Sequence, residues 1–394
     1  METEDVYLAP MKWIPAVAGF LASLLLLASS TGLAAEPLAV DSTLASTLQR
    51  TLDSTFAEFE VMGCSSAVLL PGGAMWQGVT GRSCEGTPVS ADMLFGVGSI
   101  TKNYIVPLVL QLTEEGDLSL DDALARWLPP QQFIDDQITI RQLLSQRSGL
   151  CNVTDRPDLW DALFDQPDRI WSPHDILDAY VGEPCLPPGS DWHYSNTGYL
   201  LLGLLIEQVT GVAIPESLRS RFLDPLQLHR TFFAVEEALP SDLEVCHGWF
   251  DLDRDGFLDD VTPYQTGIYS VLWASGAVFA TASDLASWVD AVMRGGVLTR
   301  ESRDQMLTPH SIVPGSGGVG YGLGVNLYGN EGVGHTGRSF GYLSLFLYLP
   351  KPGVTIVVLL NGDDAACLDA IASALTLVVM AFEEGRAVAA LDMD

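Results

Sequence analysis

The feature that most constrains this chain is the position of its strand-like segments. Ser65 to Leu70 and Ala74 to Thr80 flank Pro71-Gly72-Gly73 and read as a hairpin. More than two hundred residues later, Tyr321 to Tyr328, Tyr342 to Leu349 and Val354 to Leu360 read as successive antiparallel strands. Their turns fall at Gly329-Asn330-Glu331-Gly332 and at Pro350 to Gly353. Strands at both ends of the chain with helices between them are expected to share one sheet. Between them the chain is rich in helix patterns and in Pro and Gly breaks. The expected fold is α+β: an antiparallel sheet from both ends, flanked by helices, with an inserted helical lobe.

Helices frame this sheet. Over Asp41 to Glu60, Leu44, Leu48, Leu52 and Phe56 recur every four residues and predict a helix. Ser99 to Glu115 predicts an apolar helix that stops at Gly116, with a kink at Pro107. Ala365 to Glu383 predicts a closing helix. At 394 residues the chain exceeds what one compact core usually holds. The expected organisation is a leader over 1–35 and a domain over 36–394. Within that domain an α/β lobe would take 40–115 and 270–394, and a helical lobe 116–269.

Trp13 to Ala35 carries no charge and ends in Gly32-Leu33-Ala34-Ala35, which reads as a cleaved signal peptide and an exported protein. Glu2, Glu4 and Asp5 are wrong for the start of such a leader, whereas Met11-Lys12-Trp13 is conventional, so Met11 is the expected start. Membrane contact would arise only if the apolar run stayed uncleaved. Six cysteines in an exported chain permit disulfides. Cys64 and Cys84, flanking the hairpin, are the expected pair.

Charge narrows the partners. With 19 basic and 50 acidic side chains the net charge is −31, and no basic stripe is present, which excludes nucleic acid. The six histidines are scattered, no Cys-x-x-Cys occurs, and no metal or cofactor is expected. Asp251-x-Asp253-x-Asp255-Gly256 starts like a calcium loop, with Asp259 and Asp260 able to assist, but Thr262 stands where the last ligand belongs. An acidic surface loop is the preferred reading.

Lysine is scarce, at Lys12, Lys102 and Lys351 against sixteen arginines. Lys102 closes Ser99-Ile100-Thr101-Lys102 at the start of a predicted helix. A lysine three residues on shares a helix face with the serine. Apolar neighbours would depress its pKa and let it act as a base. A solvated lysine beside a capping serine is the alternative from this motif alone. Two further elements change the weighting: Tyr194-Ser195-Asn196, before an apolar helix, and His335-Thr336-Gly337, on a predicted strand.

In this order and spacing the three elements resemble the penicillin-recognising serine hydrolases, the serine β-lactamase and D-alanyl-D-alanine carboxypeptidase superfamily. The similarity runs from about residue 40 to 385 and is greatest to the class C β-lactamase-like branch, on its carboxypeptidase side. Leu143-Leu144 with Ser148-Gly149-Leu150, His247-Gly248 and Tyr321-Gly322-Leu323-Gly324 agree with it. The resemblance implies Ser99 as acylated nucleophile, Lys102 as its base and Tyr194 as proton relay to the leaving amine. It implies Asn196 as a ligand of the substrate amide and His335, Thr336 and Gly337 on the docking strand. The backbone N–H groups of Ser99 and Arg338 would form the oxyanion hole.

Two departures stand out. Gln146 and Arg147 replace the family's His-Thr, at a position read as structural. Asn326 replaces the arginine that would hold a substrate carboxylate, which Arg338 would then have to compensate. A literal Gly-x-Ser-x-Gly at Gly337 to Gly341 is no nucleophile elbow, because no histidine follows it. The expected substrate is a small peptide, ester or β-lactam. D-Alanyl-D-alanine peptidase action leads, followed by β-lactamase or short-chain esterase activity, and last by a catalytically idle binding protein.

Overall fold

The structure, a computed structural model, describes residues 39–391. The expected leader lies outside the described residues. The chain opens with α1 (Ser42–Phe56), β1 (Gly63–Leu69), β2 (Met75–Cys84), β3 (Thr87–Pro88) and β4 (Phe95–Gly96). A 3-10 turn over Gly98–Thr101 leads into α2 (Lys102–Glu115). The middle holds α3 (Ile140–Leu144), α4 (Pro157–Asp165), α5 (Pro173–Tyr180), α6 (Asn196–Thr210) and α7 (Ile214–Leu218). Then come β5 (Thr231–Phe233), β6 (Trp249–Phe250), β7 (Asp259–Asp260), α8 (Gln265–Leu272), β8 (Val278–Ala280), α9 (Ala282–Arg294) and α10 (Arg300–Met306). The last part is β9 (Ser311–Ile312), β10 (Gly320–Tyr321), β11 (Asn326–Leu327), β12 (Val333–Ser339), β13 (Tyr342–Leu349), β14 (Val354–Leu360) and α11 (Ala365–Leu391).

The two ends do share one sheet, in the order β3-β2-β1-β14-β13-β12-β11-β10-β9. β1 meets β14 antiparallel from Cys64↔Leu360 to Leu69↔Thr355, closing the chain on itself. The fold is α+β as expected. One sheet face carries α1 and α11: Leu44, Leu48 and Leu52 with Leu368, Ile371 and Leu375 cover Val68, Leu345 and Ile356. The opposite face packs against a larger core built from α2, α6, α9 and their neighbours. α1 starts where Asp41 accepts the N–H groups of Thr43 (2.8 Å) and Leu44 (3.1 Å), two donors that the first turn leaves unpaired. α11 is long and apolar enough to span a bilayer, but its buried stripe lies on the sheet as a core helix would.

Three expectations are corrected. The disulfide is Cys151–Cys185, and Cys64 and Cys84 are free thiols. Cys64 sits opposite Thr80 in the hairpin, so Cys84 lies four positions, or about 13 Å, farther along its strand. The strand expected over Tyr321–Tyr328 is two short strands, β10 and β11, paired through Gly320↔Leu327 and Tyr321↔Asn326. The turn between them holds Gly324 at φ +67°, where a Cβ would lie 2.6 Å from Val106. Finally, Ser99 lies within a 3-10 turn, and the α-helix begins only at Lys102.

Candidate active site

Ser99 is presented by a close approach of two backbones. Gly98 lies at φ +49°, and a Cβ there would sit 2.7 Å from the Arg338 nitrogen and 2.8 Å from its carbonyl oxygen. Only glycine lets the turn touch β12 this closely. One turn on, Lys102 is fully buried. Its Nζ lies 3.1 Å from Ser99 Oγ and donates to Asn196 Oδ1 (2.7 Å) and the Ser275 carbonyl (2.8 Å). The Tyr194 and Tyr199 rings stand 4.9 and 5.1 Å from it. Burial alone pushes the Lys102 pKa well below the usual lysine range. In its neutral form the amine carries a lone pair, and of its three oxygen neighbours only Ser99 Oγ has a proton to give it.

Tyr194 completes the contact from the helical side, with Oη 2.7 Å from Ser99 Oγ. Burial raises its pKa, so the phenol stays protonated and can donate. The loop that carries Tyr194 is clamped from below. Gln146, itself at φ +58°, takes the Ser195 N–H on its side-chain oxygen (2.8 Å) and the His193 N–H on its carbonyl (2.8 Å). Asn152 Oδ1 accepts the Asn196 N–H at 2.9 Å, and Thr197 Oγ1 donates to the Cys151 carbonyl at 2.7 Å. Asn196 Nδ2 donates to Thr154 Oγ1 at 2.9 Å and has a second N–H for a ligand.

β12 supplies the opposite wall. β11 pairs with it only at Val333 and Gly334, so the outer edge from His335 onward has no partner strand among the described residues. His335 is buried, and its Nδ1 must donate to the Thr336 carbonyl (2.6 Å) because a carbonyl only accepts. Its Nε2 then accepts from Tyr321 Oη at 3.4 Å. Burial above all lowers the His335 pKa to about 3, so the ring is neutral. Gly337 lies flat over the turn: a Cβ there would meet the Val97 carbonyl oxygen at 2.0 Å. The Arg338 guanidinium is bound by Asp363. It does not offer the free cation that would compensate for Asn326, which is buried at the pairing with Gly334.

A cavity of about 370 Å³ opens over Ser99, with Tyr194, Asn196, Ser275 and Arg338 in its walls. Ser99, Lys102, Tyr194, Asn196 and Arg338, drawn from three distant stretches of sequence, therefore converge. His335, Thr336 and Gly337 lie on the same strand but stand behind or beside the cavity. The sequence did not single out Asn152, Thr154, Ser275 or Asp363, and it left Gln146 with no stated partner. These polar groups act through side-chain and carbonyl hydrogen bonds, which no spacing rule marks. In the 251–260 loop, carboxylate oxygens of Asp251, Asp253 and Asp259 come within 4.8 Å of one another. Several of these carboxylates are engaged by the loop's own N–H groups, Asp251 by those of Asp255 and Gly256.

Residues 52–378 match the family model for beta-lactamase. Over 346 residues the chain is 31% identical to penicillin-binding protein 4 of Amycolatopsis lactamdurans, covering 80% of this chain and 85% of the relative. Among solved structures it is similar to a D-stereospecific amidohydrolase from a Streptomyces species. That match has 28% identity and a TM-score of 0.71, and covers 82% of this chain and 97% of the other. A D-amino acid amidase from Ochrobactrum anthropi matches with 26% identity and a TM-score of 0.73, covering 88% and 100%.

Proposed function

Because this chain belongs to the beta-lactamase family, we propose that it is an exported serine hydrolase that cleaves an amide through an acyl-enzyme, acting as a D-alanyl-D-alanine-type peptidase on cell-wall peptides. The observation that carries this reading is the meeting of Lys102 Nζ and Tyr194 Oη on Ser99 Oγ, at 3.1 and 2.7 Å. The similarity to a penicillin-binding protein supports this reading. The Cys151–Cys185 disulfide fits an oxidising compartment and so supports export.

The steps follow from proton positions. Neutral Lys102 takes the Ser99 hydroxyl proton as Oγ bonds to the carbonyl carbon. The carbonyl π pair moves onto oxygen, where the N–H groups of Ser99 and Arg338 hold it. As the carbon–nitrogen bond breaks, Tyr194 gives its proton to the departing amine and regains one from the Lys102 ammonium. Water then adds to the ester, its proton passing to Lys102, and the acid is released as Ser99 Oγ is reprotonated.

A second reading keeps this chemistry and changes the substrate to an amide or ester without a terminal carboxylate. It is favoured by the Arg338–Asp363 pairing and by the neutral, buried Asn326. Labelling with a fluorescent penicillin separates the outcomes. A stable adduct on Ser99 supports the peptidase, and rapid turnover a β-lactamase. Hydrolysis of a p-nitrophenyl ester without labelling supports an esterase. Labelling that survives Ser99→Ala would overturn the assignment.

A further inference from the structure

Past Ser99 the cavity wall is made of rings. Phe340, the residue after β12, is met edge-on by Trp160 (centroids 4.8 Å, planes at 71°), Phe164 (5.4 Å, 87°) and Phe250 (5.1 Å, 77°). All four line the same cavity as the serine. They come from α4, β6 and the turn after β12, so the wall is built by three separate segments. Trp160 is fixed by its Nε1–H on the Thr154 carbonyl at 2.7 Å, beside the hydroxyl that holds Asn196. The wall is thus preorganised relative to the reacting carbonyl.

The direction of a bound substrate follows from Tyr194. Its ring connects through Trp192 (6.1 Å) and Tyr321 (5.8 Å) to His335, toward the start of β12. The rings around Phe340 stand at the other end of that strand. A leaving nitrogen must lie beside Tyr194, so the acyl half of the substrate extends toward Phe340. The cavity is about 370 Å³, and an apolar space of about 150 Å³ already takes benzene. A methyl side chain would leave most of this apolar wall wet. A benzyl or indolyl group would cover it and add edge-to-face contacts.

We infer that the site selects acyl groups bearing an aromatic ring, with Trp160, Phe164, Phe250 and Phe340 as specificity residues. The substrate class is an amide or ester of an aromatic D-amino acid or a related arylalkyl acid. This inference rests on the acyl-enzyme chemistry and sides with the second reading of the substrate, because a D-alanyl acyl group would leave the ring wall uncovered.

The test compares kcat/KM of the full chain for D-phenylalaninamide and D-tryptophanamide against D-alaninamide. The aromatic amides are expected to be favoured by at least about tenfold. Phenylacetate against acetate as p-nitrophenyl esters reads the same preference for an enzyme that accepts only esters. Phe164→Ala is expected to narrow the ratio, and the wild-type ratio decides the matter should that variant not fold. Equal or reversed preference with measurable turnover overturns the inference and leaves the hydrolase standing. No turnover of any of these substrates, with no penicillin adduct, overturns both.

Discussion

Lys102 is surrounded by oxygen acceptors and rings, and no carboxylate contributes to its lowered pKa. Its charge is disfavoured by burial, which is what a base near neutrality requires. Ser99→Ala and Lys102→Ala are each expected to lower kcat/KM by at least about a thousandfold, and steady-state kinetics on a p-nitrophenyl ester measures this. The pH profile should carry the same signature. The base works only when neutral, so kcat/KM rises as pH climbs through the depressed Lys102 pKa and levels off below the usual lysine value. Placing that acid limb near 10.4 would contradict a buried neutral amine. His335 acts on stability instead. Its folded pKa of about 3 lies below the unfolded value near 6.5, so the unfolded chain binds more protons between them. Stability is expected to fall as pH drops from about 6.5 toward 3, and His335→Gln should flatten that slope in urea titrations at several pH values.

At the level of elements, the site depends on how near the 3-10 turn comes to β12. Both Gly98 and Gly337 stand where a side-chain carbon would strike backbone on the opposing element. Gly337→Ala must push the strand away from Val97, and Gly98→Ala adds the cost of a left-handed φ. Each is expected to cost about 1–3 kcal/mol in chemical denaturation. Each should also reduce kcat more than it raises KM, because the oxyanion donors move while the outer cavity stays. The periodicity of Leu44, Leu48 and Leu52 and the Gly116 stop were readable because local rules govern them. The split of β10 from β11 was not, because Gly324 is required by contact with Val106 rather than by its neighbours in sequence.

For the molecule as a whole, the Cys151–Cys185 bond ties the segment that accepts from Ser195 and Thr197 to the stretch of chain that leads into Tyr194. It closes a span with a sequence separation of 34 residues, and restraint of a loop this size is worth about 3–4 kcal/mol in chain-entropy terms. A Cys151→Ala/Cys185→Ala double variant should melt several degrees lower by calorimetry. It should also lose activity, since Ser195 and Thr197 both donate to the Cys151 carbonyl. Unchanged melting with unchanged turnover would show that the Gln146 and Asn152 clamps suffice alone.

By itself the sequence determined the α+β architecture and the pairing of Ser99 with Lys102. The first follows from where strand patterns fall along the chain. The second follows from helical geometry, which brings residues three apart onto one face. Tertiary structure decided the rest: that Lys102 loses its water, that Arg338 is taken by Asp363, that Cys151 bonds to Cys185, and that three aromatic side chains gather around Phe340. Each depends on groups distant in the chain, whose meeting is set by the packing of separate elements against one another and leaves no local trace in the order of residues.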